Sequence, residues 1–522
     1  MFESTESINR QIAGATFTIM LATLLGRAIG FLKEVLVTRQ FGTSWEMDAF
    51  VIALIFPTLL AQLAGGAIQV SLVPVYIEWR LRRGEDKATK LLSTTITSAA
   101  FLFAILTLFL YLVAPRVVPW LGLGFGPATR LLSIQLARLM APLLLLQAAV
   151  VVLTSVLNAH QIFALPALSP IVITITIMGF LVFGGSMGIG ALAWGTLFGF
   201  LACLFVLSYG LNRKGIRYRP RLDFKDLGVQ RVAALSWPMF LGSALAHANI
   251  YVDQAMASWL KTGSVAALNY ANKLFDIPSQ IFIVALSTAV FPFFSQQTAE
   301  GDFAGLRDSF MKSARMAAFV LLPLSAFLVA LAHPLVKVLF QRGAFDEQAT
   351  LMTSQALAFY ALGIFPLAYA FLNARIYNSL KDAKTLRNVA FMNLFLNAGL
   401  NLLFMQIWAH AGIALSTSVT YLISGLVLHA ILAKKLQGLG TPALGAGIMK
   451  MTAAAAIGGI TAALAYPSLL AATGSPAAAM FPSVGINLVL YLVLAFCFQI
   501  QEIGSLRMRI RERLGKLTSP AG

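Results

Sequence analysis

Apolar runs of about twenty residues, free of charge, recur from one end of this 522-residue chain to the other. In hydrocarbon every backbone amide and carbonyl must find its partner within the protein, so such runs fold as helices. Composition agrees: 59% of the residues are hydrophobic, 11% are charged and the mean hydropathy is +0.81. Soluble domains carry about a quarter charged residues. The pattern predicts an all-α polytopic membrane protein with about fourteen transmembrane helices. The N-terminal MFESTESINRQ lacks the basic-apolar-small order of a cleaved signal, so the first span is expected to stay. The two cysteines, Cys203 and Cys497, both lie in apolar runs, which argues against a disulfide or metal framework.

The formal charge of +18 does not point to nucleic acid, because the basic residues are sorted along the chain. They gather after alternate spans. One group is Arg80, Arg82, Arg83, Lys87 and Lys90; another runs from Arg213 through Lys214, Arg217, Arg219 and Arg221 to Lys225 and Arg231. Later groups are Arg307, Lys312 and Arg315, then Arg375, Lys381, Lys384 and Arg387, and a tail with Arg507, Arg509, Arg511 and Arg513. Intervening loops, such as GGSMG at 184–188, carry few or none. The positive-inside rule then places the basic loops and both termini in the cytoplasm.

A shift of about 220 residues brings out a weak internal repeat. FPTLLAQLAGGAIQVSLVPVY (56–76) overlies IPSQIFIVALSTAVFPFF (277–294), aligning Pro57 with Pro278 and Pro74 with Pro292. Gly190 meets Gly412, and Glu34 falls near Asp253. An even number of spans precedes the repeat, so both copies enter the bilayer in the same sense. Parallel repeats of this kind place the substrate path between their halves. The expected organisation is an N-lobe (1–215), a C-lobe (216–440) around a central cavity, and an addition (441–522) of two further helices and a basic tail.

Several ionisable groups break the apolar rule inside spans, and each costs about 2.5–3.5 kcal/mol at mid-bilayer unless it faces protein or water. LLGRAIGFLKEVLVTRQFG (24–42) holds Arg27, Lys33 and Glu34. Arg27 and Glu34 lie on one helical stripe about 10 Å apart. Lys33 projects about 100° away from Glu34, toward a neighbour or an interface. Gly26 and Gly30 form a small-xxx-small pair suited to close helix approach. Asp48 opens the second span and suits either a helix-dipole partner or a cavity acid. The second half adds Asp253, Lys273 and Asp276, the last two on one face and able to pair. Bases from both halves with acids beside them suit a polyanionic head such as a diphosphate. The acids, Asp253 and Glu34 above all, are candidates for an ion-coupled switch.

Five segments, GRAIGFLKEVLVTRQFG, MDAFVIALIFP, LVPVYIEWRLRRGEDKA, GSVAALNYANKLFDIP and LFQRGAF, resemble the lipid II flippase family (MurJ/MviN) of the multidrug/oligosaccharidyl-lipid/polysaccharide exporter superfamily. The resemblance spans nearly the whole chain. It implies two lobes around a cationic cavity, and a groove for a polyprenyl tail formed with two extra C-terminal helices. It also implies a bacterial inner-membrane transporter that moves lipid-linked peptidoglycan precursor outward, alongside membrane phospholipid and the cell-wall synthesis machinery. Arg27 matches the family's first-helix arginine. Lys33–Glu34 stand where Arg–Asp is usual, and Asp48 matches an acid of the second helix. Lys273 replaces an arginine and Asp276 a glutamate. Where members read Pro-Asn-Leu-Leu-Arg-Arg, this chain reads PTLLAQ, so Ala61 and Gln62 replace two substrate-binding arginines. Lysine holds phosphate as a point charge without arginine's bidentate fork, so a weaker or differently shaped anion site is expected.

The expected function is therefore a lipid II flippase working by alternating access, with no enzymatic activity and no cofactor. No Walker A pattern occurs, so the expected bias on alternating access is the membrane potential, a coupling ion or consumption of the product outside. Alternatives of other kinds are a flippase for an exopolysaccharide unit, a cation-coupled drug exporter, a scaffold that has lost transport, and a membrane enzyme acting through Asp346 and Glu347.

Overall fold

The computed structural model describes residues 5–213, 218–439 and 441–504, with the side chains of 5–19, 64, 241–247, 284, 287 and 441 excepted. The expected tail cluster at 507–513, and Lys214 and Arg217, lie outside these residues. Among the described residues there is no strand. The helices are α1 (Thr5–Phe41), α2 (Trp45–Arg83), α3 (Glu85–Leu121), α4 (Pro127–Met140), α5 (Leu143–Ala159), α6 (Ala164–Phe183), α7 (Ile189–Arg213) and α8 (Leu227–Ala257). They continue as α9 (Ser264–Glu300), α10 (Phe303–Ala330), α11 (Ala332–Phe340), α12 (Glu347–Ala361), α13 (Ile364–Ser379), α14 (Ala383–Lys435), α15 (Thr441–Thr473) and α16 (Pro476–Cys497).

Eight described helices are long and apolar enough to cross a membrane, or eleven when each bent pair counts as one span. The bent spans are α4 with α5 (40°), α12 with α13 (40°), and the two pieces of α9, Ser264–Ile283 and Thr288–Glu300 (46°). In α9, Pro292 has no amide to offer the Thr288 carbonyl, which weakens the helix beside the bend. A straight α14 of 53 residues would measure about 80 Å against a hydrocarbon core of about 30 Å. It is two limbs instead. The backbone leaves helical geometry at Ala409 (φ 48°, ψ −130°), and Asn393 on one limb bonds Ser424 on the other. The expected number of about fourteen spans exceeds this tally, which covers the described residues only.

Packing divides the chain into two compact units. The first holds residues 1–266 with the short segment Arg342–Phe345, and the second holds 267–341 and 346–522. The division by packing falls at Ala266, whereas the repeat places its boundary near 215. Helix α8 accordingly packs with the first unit, against α2.

In the first unit α2 is the central element, touching α3, α4, α5 and α8. Its core gathers Tyr76, Leu91, Val156, Leu157, Cys203 and Leu207, all at most 2% exposed. In the second unit α14 lies against α12 and α13, and α15 lies against α10 and α16. Helix α16 also meets α10, and Pro323 shapes that contact. It has no amide for the Phe319 carbonyl, and the Tyr491 hydroxyl of α16 donates to that oxygen at 3.0 Å. Asn487 donates to the Pro323 carbonyl at 3.1 Å.

Candidate functional site

The charged stripe of α1 is assembled differently from its helical-wheel reading. Lys33 Nζ lies 2.6 Å from Glu34 Oε1, so adjacent residues expected to point apart are an ion pair. A lysine stem of four methylenes wraps the helix surface far enough to reach its neighbour. Glu34 is buried and Lys33 half-buried. Arg27 is partly buried farther back on the same helix. Of the two small residues beside it, a Cβ at Gly26 would lie 3.6 Å from Ile171 of α6, while Gly30 faces open space. Only Gly26 serves the expected close approach.

Asp48 is 2% exposed and both carboxylate oxygens are engaged. They accept the backbone amides of Gly263 (2.6 Å) and Ala266 (2.8 Å), capping the turn that opens α9. Gly263 is required there: its φ is +89°, and a Cβ would stand 2.6 Å from the Thr43 carbonyl oxygen. The same corner takes a strap from far along the chain, where the Ala344 amide donates to the Arg39 carbonyl at 2.8 Å. Asp48, in the first turn of α2, thus also caps the start of another helix, α9.

The two positions that depart from the resemblance are unlike each other. Gln62 is exposed, so it can face a passing ligand. Ala61 is 1% exposed and packs in a cluster with Phe103, Leu144 and Ala148. An arginine would not fit that packing without displacing α3 or α5. Asp253 is buried on α8, at 6% exposure. In the second unit Lys273 is partly buried with Nζ 5.7 Å from the Tyr270 ring centre, and Asp276 is partly buried one turn on. Each unit therefore carries at least one basic group within an apolar helix.

Arg375 is a residue the sequence reading misplaced. Its charge was counted with a cytoplasmic loop, but it lies within α13. Its guanidinium sits 4.5 Å from the Phe371 ring centre and 5.6 Å from that of Phe291, and Nε is buried without an acceptor among the described residues. The signal was present: Phe371 and Arg375 are four apart, on one helix face.

The second unit also holds an apolar groove of about 510 Å³ between α10 and α15, lined by residues such as Leu322, Ala326, Val329, Ala456 and Leu464. Two adjacent glycines set its spacing. A Cβ at Gly459 would lie 3.0 Å from the Ala326 carbonyl of α10, and one at Gly458 would lie 2.9 Å from the Asn487 carbonyl of α16. Beneath it, the Arg315 guanidinium donates to both carboxylate oxygens of Glu502 (2.6 and 3.3 Å).

The candidates for enzymatic chemistry are otherwise occupied. Asp346 caps α12 through the Ala349 amide, and exposed Glu347 accepts from Gln341 (2.7 Å) and pairs with His333 (3.0 Å). Among the described residues no cluster of three or more His, Cys, Asp or Glu could hold a metal ion.

With this arrangement in view, comparison with known proteins is decisive. The profile of the lipid II flippase MurJ family matches residues 37–482. The chain belongs to the MurJ family. A lipid II flippase MurJ from Burkholderia cenocepacia is 29% identical over 420 residues, covering 74% of this chain and 80% of the relative. A probable MurJ from Bdellovibrio bacteriovorus is 27% identical over 518 residues, 95% of this chain and 97% of the relative. Among solved structures, a MurJ in an inward closed conformation aligns with a TM-score of 0.77 at 24% identity, covering 93% of this chain and 99% of that one. An inward-facing multidrug resistance MATE transporter of the MOP superfamily aligns at 0.68 with 12% identity, over 82% of this chain. The fold is thus that of MurJ and MATE proteins. The MurJ match begins beyond Arg27, at residue 37, and includes Asp48, Gln62, Asp253, Lys273 and Asp276.

Proposed function

We propose that this protein translocates lipid II, the undecaprenyl-diphosphate-linked peptidoglycan precursor, from the inner to the outer leaflet of the bacterial cell membrane. The observation that carries the reading is the pairing of two unlike features: an apolar groove of about 510 Å³ on the C-terminal helices, and basic side chains embedded in apolar helices of both units. An amphiphile with a long hydrocarbon tail and a diphosphate head needs both. The tail stays in hydrocarbon along α10 and α15 throughout, so only the head has to be carried across.

Arg27 in the first unit and Lys273 in the second are the intramembrane bases suited to a diphosphate, and Gln62 offers its amide where relatives have a second cation. Lys33 is partly neutralised by Glu34 and contributes less. Asp48 positions the start of α9, and through it Lys273, rather than touching substrate. Arg375, partly buried beside the Phe371 and Phe291 rings, offers a buried Nε donor to a phosphate oxygen. The Asp253 carboxylate is the candidate for coupling to an ion, and the membrane potential is the other source of bias. The basic loops and both termini lie in the cytoplasm, the N- and C-lobes alternate access, and the cell-wall synthesis machinery consumes the product outside. A flippase for another polyprenyl-linked oligosaccharide is the second reading, favoured specifically by the burial of Ala61.

The test is complementation of bacteria whose own lipid II flippase can be shut off, with an assay of outer-leaflet lipid II. Rescue by the protein, and its loss in Arg27→Ala and Lys273→Ala at equal membrane abundance, is the expected result. Full rescue by both variants would exclude the diphosphate role, and well-expressed protein without rescue would favour the other oligosaccharide.

A further inference from the structure

The first unit contains a second slot, remote in sequence from the groove above, that the translocation reading does not use. It lies between α3, α5 and α7 and holds about 410 Å³. Phe103, Ala149, Val152 and Leu204 line its length, with Asn212 and Tyr218 at one end. Eight residues of α7 separate Leu204 from Asn212, so the slot runs about 12 Å from the polar end into the apolar interior.

The polar end is built by the segment that follows α7. From 218 the chain reads YRPRLDFK, alternating apolar and charged residues with a period of two. That period belongs to an extended strand, one side turned to hydrocarbon and the other to water. The structure holds it extended along the start of α3. The Arg219 amide donates to Ser93 Oγ (3.3 Å), the Arg221 amide to Thr97 Oγ1 (3.2 Å), and the Tyr218 hydroxyl lies 2.9 Å from the same Thr97 oxygen. Phe224 meets Phe101 with ring centres 6.0 Å apart. Beyond these contacts Leu222, Phe224, Phe205 and Tyr209 remain at least half exposed. Exposed rings beside cations are the composition of a membrane interface.

Two arginines flank this end in sequence. Arg213 follows the lining residue Asn212 and stacks over Tyr209, with its guanidinium carbon 5.1 Å from the ring centre. Arg219 follows the lining residue Tyr218. Neither has a carboxylate partner among the described residues, whereas Arg221 is paired with Asp223 at 3.4 Å. An apolar slot whose polar-end lining residues, Asn212 and Tyr218, are each followed by an exposed arginine fits one class of molecule, an amphiphile with an acyl chain and an anionic phosphate head.

We propose that this slot binds one acyl chain of an anionic phospholipid from the cytoplasmic leaflet, with its phosphate held by Arg213 and Arg219. The choice of leaflet rests on the orientation given above; the binding itself does not rest on translocation. The bound lipid fixes the strap 218–225 against α3 and so ties α7 to α3 at their cytoplasmic ends.

The experiment is native mass spectrometry of the delipidated full chain, titrated separately with phosphatidylglycerol and phosphatidylcholine in the absence of lipid-linked substrate. One phosphatidylglycerol binds more tightly than phosphatidylcholine. Arg213→Gln and Arg219→Gln, both on the exposed rim, each weaken it roughly fivefold and leave phosphatidylcholine unchanged. Ala149→Phe, which fills the slot, abolishes the tight adduct. Equal affinity for the two lipids, or a tight adduct that survives Ala149→Phe in a variant that melts like the parent, would overturn the proposal. So would displacement of the lipid by a polyprenyl phosphate, which would make the slot a second site for the substrate's tail. Rescue of flipping is read separately and does not enter this test.

Discussion

The α6–α7 pair of the first unit and the two limbs of α14 in the second are aligned by the sequence repeat, yet they hold their helices together by opposite means. In α6–α7 backbones approach through missing side chains. A Cβ at Gly195 would lie 2.9 Å from Phe180 Cβ, and one at Gly199 would lie 2.9 Å from the Ile173 carbonyl oxygen. The limbs of α14 are joined instead by a polar ladder. Asn393 donates to Ser424 (3.1 Å), Asn397 to Ser416 and Asn401 to Asn397 (both 3.4 Å), and Ser416 donates to Asn401. Asn397, Asn401 and Ser416 are fully buried. Lipid supplies no hydrophobic drive between helices, so close packing and interhelical hydrogen bonds are the two available glues. One repeat uses each. Glycine packing is unforgiving of added volume, whereas a ladder is unforgiving of a lost partner.

The sharpest way to break this contrast is Gly199→Leu. The carbonyl it would strike is backbone and cannot rotate away, so the variant is expected to lose about 3 kcal/mol, read as a fall in melting temperature or loss of monodisperse protein. An effect below about 1 kcal/mol would mean that α6 and α7 are free to separate. Next comes Asn401→Leu, which removes the bond to Asn397 and the one from Ser416 and leaves only the Asn397–Ser416 and Asn393–Ser424 rungs; about 1–2 kcal/mol is expected. If leucine there is neutral or stabilising, the ladder is not what joins the limbs.

The α10–α16 contact is a smaller polar one, with two hydrogen bonds, from Tyr491 to the Phe319 carbonyl and from Asn487 to the Pro323 carbonyl. Tyr491→Phe should cost about 0.6 kcal/mol. Pro323→Ala restores an amide for the Phe319 carbonyl, so in the double variant the tyrosine change should cost less than it does alone. Additivity in that cycle would show that the hydroxyl does not serve the freed carbonyl.

The smallest effect belongs to the first unit's polar helix contact, between Tyr76 of α2 and His160 at the end of α5, 2.7 Å apart. Burial, with Arg80 adding to it, holds the His160 imidazole below its ordinary value of 6.5. The neutral ring is therefore favoured by folding. Its contribution is complete above pH 6.5 and is lost as pH falls below that value, where the unfolded chain takes up the proton first. Melting measured from pH 7.5 downward should show a small loss that His160→Asn flattens. An identical profile in that variant would remove His160 from the account.

Much of this was legible in the sequence. The helices, the internal repeat and the charged stripe of α1 all follow from periodicity and from the cost of charge in hydrocarbon. What escaped was pairing. Asn393, Asn397 and Asn401 recur at every fourth position, so a polar face could be read, and Gly412 marks the start of the next span, but which serines the face meets depends on the register that the reversal at Ala409 sets. Lys33 and Glu34 look opposed on a wheel because a wheel ignores the length of a lysine. Arg375 was assigned to a loop because sorting charges by span end cannot see two phenylalanine rings. At Asp48 the partner that escaped was the Gly263 turn, 215 residues away, which no local pattern announces.

The Tyr491–Phe319 bond has a consequence in time. Its two residues are 172 positions apart, and chains grow at about 5–20 residues per second, so α10 waits about 10–35 s for its donor to be synthesised. Through that interval the Phe319 carbonyl is an open acceptor at membrane depth. The second unit is thus born with an open acceptor on α10 that stays unfilled until α16 has been made.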